Sequence, residues 1–186
     1  MKTRGQALIV VPMIIGTVSI VFAVLGYLAG LAFGLPVRLH MPIILRFIGP
    51  AVLAFGFLFM GWIFKYRSPA DILLSTYLTM RNAIRGSEGY DASSRTEPLV
   101  ILGPHRHVRH PLYFTVILLW LGWWLLLDYT FLLFMTFLFF IWFTLVVIRF
   151  EEQELRTIFG NQYEAYIRKV PMIIPSLRPL VNRIDR

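Results

Sequence analysis

The feature that most constrains this chain is a set of long apolar runs without charge. Residues Gly5 to Val37 include no Asp, Glu, Lys or Arg, and about 20 apolar residues in helical form suffice to cross the hydrocarbon core of a bilayer. The apolar core of a secretory signal peptide has only about 7–15 residues, so the length favours a spanning helix. Because lipid offers no partners to backbone N–H and C=O groups, each spanning run must be helical.

Four runs reach or approach the length of a span: residues 7–33, 47–64, 111–127 and 129–148. The last two are separated only by Asp128 and the polar edge of Tyr129 and Thr130, which predicts a tight antiparallel hairpin with Asp128 in its turn. We therefore predict an all-α fold class. The architecture is a polytopic transmembrane bundle of four or five spanning helices, with a terminal helical hairpin and C-terminal cytosolic amphipathic helices.

The polar connection at residues 65–102 leaves the number of spans open. Its apolar part, residues 72–80, is bounded by Asp71 and Arg81; it is short for a span, and it either lies in the membrane interface or forms a short fifth helix. Residues 85–98 are rich in Gly, Ser, Asp and Glu, which favours a solvent loop over the alternative of a lid.

The distribution of Lys and Arg predicts the orientation in the membrane. If residues 72–80 do not span, 16 basic residues lie on the side of the N-terminus and 2 on the other; if they span, the N-terminus changes sides and the division is 14 to 4. Cytoplasmic loops are enriched in Lys and Arg, so both arrangements place residues 103–113 and the C-terminus in the cytoplasm. The division of 16 to 2 fits this enrichment slightly better than the division of 14 to 4.

Composition excludes several classes of function. The net charge of +8 is compatible with nucleic-acid binding, but the basic residues lie between apolar runs rather than on one amphipathic face, so we expect the lipid bilayer as the partner and no nucleic acid. The chain has no cysteine, which excludes disulfides, thiolate metal sites and cysteine nucleophiles. The oligomeric state is not indicated.

The C-terminal part continues the fourth run into the cytosol. We expect its helix to reach Phe159 and to end at Gly160, and we interpret Asn161 with Glu164 as a capping box that starts a second helix through Lys169. The whole chain is predicted to be one membrane domain. Its parts are N-terminal spanning helices (1–64), a polar connection (65–102), the hairpin and C-terminal region (103–175), and a basic tail (176–186) suited to anionic headgroups.

Two polar clusters flank the predicted hairpin. Residues 103–113 hold three of the four histidines of the chain, and Glu151, Glu152 and Glu154 follow the fourth run; such groups are costly near a bilayer, which favours a functional role. A simpler interpretation gives these residues no joint function: Arg109 is one of the basic residues typical of cytoplasmic loops, His110 caps a helix, and the glutamates lie in a solvated turn beyond the membrane. His105, His107, His110 and a glutamate are acceptable zinc ligands, but no i, i+4 histidine pair exists, so we expect no metal.

Two motifs resemble the integral-membrane methyltransferases typified by isoprenylcysteine carboxyl methyltransferase and phospholipid N-methyltransferase, over residues 99–175. The first reads Gly103-Pro104-x-Arg106-x-Val108-Arg109-His110-Pro111-x-Tyr113, and the second Glu151-Glu152-x-x-Leu155-x-x-x-Phe159-Gly160-x-x-Tyr163-x-x-Tyr166-x-x-x-Val170-Pro171-x-x-Ile174-Pro175. The resemblance implies S-adenosylmethionine as cofactor, bound at the cytosolic face by the terminal hairpin and C-terminal helices. It also implies a lipophilic or membrane-partitioned methyl acceptor that enters laterally.

The resemblance implies catalytic roles for Arg109 and Glu152. The residues that it places at the cofactor are His105, His107, Val108, Arg109, His110, Pro111, Tyr113, Glu151 and Glu152. An arginine suits the carboxylate of S-adenosylmethionine, and glutamates suit its ammonium and ribose hydroxyls. His105 and His107 stand where the family often has tyrosine, and Thr115 stands where glycine is common. These departures concern the acceptor more than the cofactor.

The sequence leaves the acceptor open. An isoprenylcysteine-type carboxylate is the nearest family label, and a phosphatidylethanolamine-type amine or a small thiol remains an alternative. From other classes, a sterol-reductase-like NADPH enzyme and a non-catalytic membrane scaffold are the competing hypotheses. The pair Glu151 and Glu152 disfavours NADPH, because carboxylates repel the additional phosphate.

Overall fold

The computed structural model describes residues 2–85, 99 and 101–179, with side chains described from Arg4 to Arg81 and again at 99 and 101–179. This part of the chain contains helices and no β-strand, which confirms the all-α class. The elements are α1 (Lys2–Ala32), α2 (Ile43–Phe64), α3 (Pro69–Arg85), a 3-10 turn (Gly103–Arg106), α4 (Pro111–Leu127), α5 (Thr130–Trp142), a π-helical turn (Phe143–Val147), α6 (Ile148–Phe159) and α7 (Asn161–Lys169).

Three helical stretches of the described residues are long and apolar enough to cross a membrane: Arg4–Ala32, Ile43–Phe64 and the continuous stretch Thr130–Phe159. Helix α4 is equally apolar but has 17 residues. The predicted apolar segment 72–80 lies within α3, which is not among the three. Residues 86–98, most of the predicted solvent loop, and residues 180–186 of the predicted tail lie outside the described residues.

The contacts divide the chain into two compact units. The described residues of the first, the polar-end unit, fall within Met1–Val11, Trp62–Pro111 and Val146–Arg186, and those of the second, the apolar unit, are Pro12–Gly61 and Leu112–Leu145. The predicted boundaries at 64, 102 and 175 divide the chain into consecutive parts, whereas each compact unit combines segments that are distant in the sequence. The two divisions answer different questions, so the predicted domain organisation stays a prediction.

The apolar unit is packed through aromatic rings and small residues. The Phe139 ring lies 5.0 Å from that of Phe22 and 5.8 Å from that of Trp120, measured between centroids. A Cβ atom added at Gly49 would lie 2.7 Å from the Leu126 backbone nitrogen, so only glycine permits this close approach. Small residues at such contacts are how helices pack closely where no hydrophobic force drives them together.

The turn between α4 and α5 has Asp128 at its centre, as the sequence predicted. Asp128 adopts φ 61°, a left-handed conformation that aspartate tolerates better than most residues. Its buried carboxylate accepts a hydrogen bond at 3.0 Å from the backbone N–H of Met41. Thr130 N–H donates to the carbonyl of Val37 at 3.0 Å, so the turn is joined to the connection between α1 and α2.

In the polar-end unit, α6 packs on both α3 and α7. Tyr163, Tyr166 and Val170 form its buried apolar cluster. Near the start of α1, Arg4 pairs with Asp71 at the first turn of α3. Helices α6 and α7 end at Phe159 and Lys169, the two residues at which the sequence predicted helices to end.

The predicted capping box at Asn161 is wrong. Gly160 has φ 48° and ends α6 while it also serves as the N-cap of α7, where no side-chain cap hydrogen bond is present. Because one glycine both ends one helix and starts the next, Asn161 is already the first helical residue. Its side chain therefore cannot occupy the N-cap position from which such a bond is made.

Candidate functional site

Residues 103–113, which we call the histidine stretch, begin in a tight turn that requires glycine. Gly103 has φ 56°, and a Cβ atom there would clash with the ring of Tyr66. The following 3-10 turn has Pro104 buried at its start, and proline suits that position because its φ is already helical and it has no N–H to satisfy. This turn directs residues 107–110 toward the C-terminal segment.

Residues 170–176, the C-terminal strap, run beside the histidine stretch. The backbone N–H groups of Arg109 and His110 donate to the carbonyls of Pro171 at 2.9 Å and Met172 at 3.1 Å, and Ser176 N–H donates to the His107 carbonyl at 2.9 Å. These bonds satisfy backbone groups that α4 cannot reach because Pro111 begins it. The strap therefore fixes the backbone from which Arg109 and His110 project.

Four ionisable side chains from the two motifs meet in one cluster. Arg109 Nη1 lies 2.5 Å from Glu152 Oε1, and His110 Nε2 lies 3.1 Å from the same oxygen. His110 Nδ1 lies 3.4 Å from Glu151 Oε2. The side chains are 4–19% exposed. We call Arg109, His110, Glu151 and Glu152 the buried charge cluster.

His110 is the centre of the buried charge cluster. Burial lowers the pKa of its imidazole, but hydrogen bonds to Glu151 and Glu152 outweigh burial, so the pKa is raised overall. A carboxylate lies at each ring nitrogen, so the imidazole can donate on both sides when it is protonated. In that form it has no lone pair with which to accept a proton.

The other predicted residues have different surroundings. His107 Nδ1 lies 2.8 Å from the Ser176 carbonyl oxygen, and its ring packs edge-on against Trp62. Burial and the charge of Arg67 lower the pKa of His105 to about 4, and its carbonyl accepts a bond from the Tyr166 hydroxyl at 2.7 Å. Val108 is fully buried. The described contacts of these three residues support the turn.

Two further predicted positions are assigned to different units. Pro111 is the last residue of the segment Trp62–Pro111 of the polar-end unit, and it begins α4. Tyr113 belongs to the apolar unit, where its ring stacks on Phe143 at 4.7 Å between centroids. Thr115 is also in the apolar unit and is fully buried. The proposed role of Tyr113 at a cofactor therefore remains a prediction.

The structure gives contacts for two further residues that the sequence did not assign to the cofactor. Glu154 is buried and accepts a hydrogen bond from Thr79 of α3. Tyr163 is 1% exposed, and its hydroxyl has no hydrogen-bond partner among the described residues. Both tyrosines of α7 fit a helical apolar pattern, so the pattern indicated burial and gave no signal for the hydroxyl groups.

Tyr163 lies within the electrostatic reach of the buried charge cluster. Burial raises the pKa of its phenol, and the charges of Glu152 and Glu151 raise it further while that of Arg109 lowers it. The phenol therefore stays protonated at neutral pH and is a hydrogen-bond donor. Among the described residues, no group of three or more His, Asp or Glu side chains is arranged to hold a metal ion.

Comparison with known proteins supplies a family for this arrangement. Residues 44–162 match the model of the phospholipid methyltransferase family. A methanethiol S-methyltransferase of Crocosphaera subtropica is 31% identical over 127 residues, which are 63% of this chain and 44% of that protein. Methanethiol S-methyltransferase 2 of Bradyrhizobium diazoefficiens is 32% identical over 130 residues, 68% of this chain and 47% of that protein.

The chain spans about half the length of these curated relatives. No solved structure matches it. The family match covers well over half of the chain and includes both the histidine stretch and the pair Glu151 and Glu152. The resemblance found in the two motifs is thereby confirmed, and the chain belongs to the phospholipid methyltransferase family.

Proposed function

We propose that this protein is an integral-membrane methyltransferase that moves a methyl group from S-adenosylmethionine to a small or lipophilic acceptor. The observation that carries the proposal is the buried charge cluster, because it joins the two family motifs. Its three pairs have contacts of 2.5–3.4 Å between side chains, although the paired residues are more than 40 positions apart in the sequence. If Arg109 were only one of the basic residues of a cytoplasmic loop, its side chain would not need to be buried. The proposal also assigns residues 103–175 to cofactor binding.

The cluster offers groups that suit this cofactor. Arg109 retains a buried Nε with no hydrogen-bond partner among the described residues, so it can donate to a carboxylate while Nη1 holds Glu152. Glu151 and Glu152 are acceptors suited to an ammonium or to ribose hydroxyls. Bound S-adenosylmethionine would supply a methyl group already activated on a sulfonium. We propose Arg109 and Glu152 as the residues that fix its position, with His105, His107, Val108, His110, Pro111, Tyr113 and Glu151 around it.

The contribution expected from the protein is alignment and exclusion of water. Holding donor and acceptor in line can lower a barrier by about 7–11 kcal/mol, and a rigid cluster fixed by the C-terminal strap suits that role. Both ring nitrogens of His110 lie beside carboxylates, so its imidazole is not free to act as a base. A carboxylate acceptor needs no base, whereas a thiol must lose its proton elsewhere or enter as the thiolate.

The names of the relatives favour a small thiol among the open acceptors. Both matched proteins are methanethiol S-methyltransferases, so we propose a small thiol as the first acceptor to test. An isoprenylcysteine-type carboxylate and a phosphatidylethanolamine-type amine are the next two. All three are compatible with entry from or near the membrane.

We further propose that the site and the C-terminus face the cytoplasm. The pair Arg4 and Asp71 joins the start of α1 to the start of α3, and both belong to the unit that holds the site. This supports the arrangement in which the N-terminus lies on the side of the histidine stretch, with 16 of 18 basic residues on that side. That distribution is typical of a cytoplasmic face.

Calorimetric titration of the purified protein with S-adenosylmethionine, S-adenosylhomocysteine and NADPH tests the cofactor. We expect both methyl-donor compounds to bind, and Glu152→Gln and Arg109→Ala each to weaken S-adenosylhomocysteine at least 10-fold, because hydrogen bonds to charged groups contribute about 1.5–3 kcal/mol. Glu164→Gln and Arg156→Ala are matched controls, since these side chains form an exposed pair. Binding of NADPH alone would replace the proposal with a reductase, and no binding would favour a scaffold.

A further inference from the structure

The hydroxyl of Tyr163 is a buried polar group with no structural partner. The residue is 1% exposed, its ring packs in the cluster with Tyr166 and Val170, and its hydroxyl has no hydrogen-bond partner among the described residues. A buried hydroxyl without a partner costs roughly 1–3 kcal/mol, and phenylalanine would fill the same space without that cost. Packing therefore accounts for the ring of Tyr163 and not for its hydroxyl.

Tyr166, one helical turn later, shows what a structural tyrosine looks like in this unit. Its hydroxyl donates to the His105 carbonyl at 2.7 Å and so joins α7 to the histidine stretch. The two side chains share a helix, a residue type and a buried cluster, and their rings lie 5.9 Å apart between centroids. Only one of the two hydroxyls has a partner, which makes Tyr166 a matched internal control.

A second unpartnered donor lies in the same unit. Arg109 Nε is buried and has no hydrogen-bond partner among the described residues. Tyr163 packs in one cluster with Val170, and the carbonyl of the next residue, Pro171, accepts the backbone N–H of Arg109 at 2.9 Å, so the two donors belong to adjoining segments of this unit. A guanidinium Nε–H can only donate, and a protonated phenol is also a good donor. Two buried donors call for an acceptor that carries negative charge.

We propose that the Tyr163 hydroxyl and Arg109 Nε together form a subsite for a carboxylate, namely that of the amino-acid part of the methyl donor. The inference rests on the proposed function and deepens it by adding Tyr163 as a binding residue and by separating two roles in the cluster. Glu151 and Glu152 face the cationic and hydroxyl groups of the cofactor. Tyr163 and Arg109 select its anionic end.

Tyr163→Phe tests the subsite, because it removes only the oxygen atom. In calorimetric titrations we expect the variant to bind S-adenosylhomocysteine about 10- to 100-fold more weakly than wild type, the range for one hydrogen bond to a charged group. Decarboxylated S-adenosylhomocysteine, which lacks only the carboxylate, should bind both proteins equally. Thermal unfolding without ligand should show Tyr163→Phe at least as stable as wild type, because the lost hydroxyl bonds nothing.

Tyr166→Phe is the control, and we expect lower thermal stability with the same fractional effect on both ligands. Three results would overturn the subsite: an equal affinity loss for both ligands in Tyr163→Phe, no affinity loss in that variant, or a loss of its thermal stability comparable to that of Tyr166→Phe. If wild type binds neither ligand, the proposed function itself fails and the subsite with it. If wild type binds S-adenosylhomocysteine and Tyr163→Phe binds it equally, only the subsite fails.

Discussion

In the apolar unit, glycines let helices approach so closely that backbone meets backbone, as at Gly49 against Leu126. In the polar-end unit, helices and turns are joined through charged and hydroxyl groups, as at Arg109 with Glu152 and at Thr79 with Glu154. The first kind of contact depends on shape and tolerates any change that leaves room. The second kind depends on partners, because a buried charge that loses its partner keeps the cost of desolvation.

This difference indicates how stability and binding are divided. Substitutions in the apolar unit should alter the free energy of unfolding and leave ligand affinity unchanged in the folded fraction. Substitutions in the buried charge cluster should alter both, since the same side chains join two segments and face the proposed cofactor. Each prediction below tests that division, in order of expected size.

The largest effect is expected from leaving one charge of the cluster alone. Arg109→Met and Glu152→Leu should each lower the free energy of unfolding by about 3–5 kcal/mol, the typical cost of removing one partner of a buried pair. The double variant should lose less than the sum of the two. Denaturant unfolding in detergent measures this cycle, and additive losses would show that the two side chains do not interact.

The next effect is expected in the apolar unit. Gly49→Ala places a Cβ atom 2.7 Å from the Leu126 nitrogen and should cost about 1–3 kcal/mol of unfolding free energy. Gly61→Ala is the control, because nothing lies within 4 Å of a Cβ there and alanine favours helix by up to about 1 kcal/mol. Equal stabilities of the two variants would contradict the close approach. A changed affinity for S-adenosylhomocysteine in Gly49→Ala would contradict the division between the units.

A smaller effect should follow from loss of the hydroxyl that faces Glu154. Thr79→Val keeps the shape of the side chain but removes its bond to the buried Glu154, which should cost about 1–2 kcal/mol in unfolding free energy. Thr79→Ser retains a hydroxyl and should recover most of the loss. Thr76→Val is a control, since Thr76 donates only to the Ile72 carbonyl of its own helix. A Thr79→Val variant as stable as Thr76→Val would contradict the role of this bond.

The smallest effect at neutral pH is expected from the two buried histidines, whose contributions appear as a pH dependence of stability. His105 has a folded-state pKa lowered to about 4, so its contribution is complete above the ordinary value of about 6.5 and is lost as pH falls toward 4. His110 has a raised folded-state pKa, so its contribution is complete below about 6.5 and is lost as pH rises through the folded value. Together they predict a maximum of the thermal midpoint near pH 6.5.

Thermal unfolding scanned from pH 4 to 9 tests the maximum. His110→Gln should reduce the decline above pH 6.5, and His105→Asn should reduce the decline below it. His40→Asn serves as a control, because His40 is exposed in the connection between α1 and α2 and asparagine tolerates its positive φ. An unchanged alkaline decline in His110→Gln would show that another group causes it.

The sequence predicted the parts of this fold that a lipid environment requires. Charge-free runs must be helical in lipid, so α1, α2, α4 and α5 follow from length alone, and Asp128 marks the turn because it interrupts the apolar run. The resemblance placed Arg109 and Glu152 at one cofactor site, but it did not predict the ion pair between them.

The remaining features depend on contacts between residues far apart in the sequence. The π-helical turn at Phe143–Val147 lies in a uniformly apolar run that gives no local signal. The strap that bonds residues 107–110 and the bond from Thr79 to Glu154 join segments about 60–75 positions apart, which periodicity cannot reveal. At Gly160 the local signal was ambiguous, because one glycine serves two helices and displaces the predicted cap.

The most direct test of methyl transfer at this site is the movement of label from methyl-labelled S-adenosylmethionine to an acceptor. The purified protein is supplied in turn with methanethiol, an isoprenylcysteine and phosphatidylethanolamine, and wild type is compared with Glu152→Gln and the surface control Glu164→Gln. The account predicts labelled product from wild type and from Glu164→Gln, with methanethiol as the first acceptor, and at least a 10-fold slower rate from Glu152→Gln. Absence of label from every acceptor, or an unchanged rate in Glu152→Gln, would contradict it.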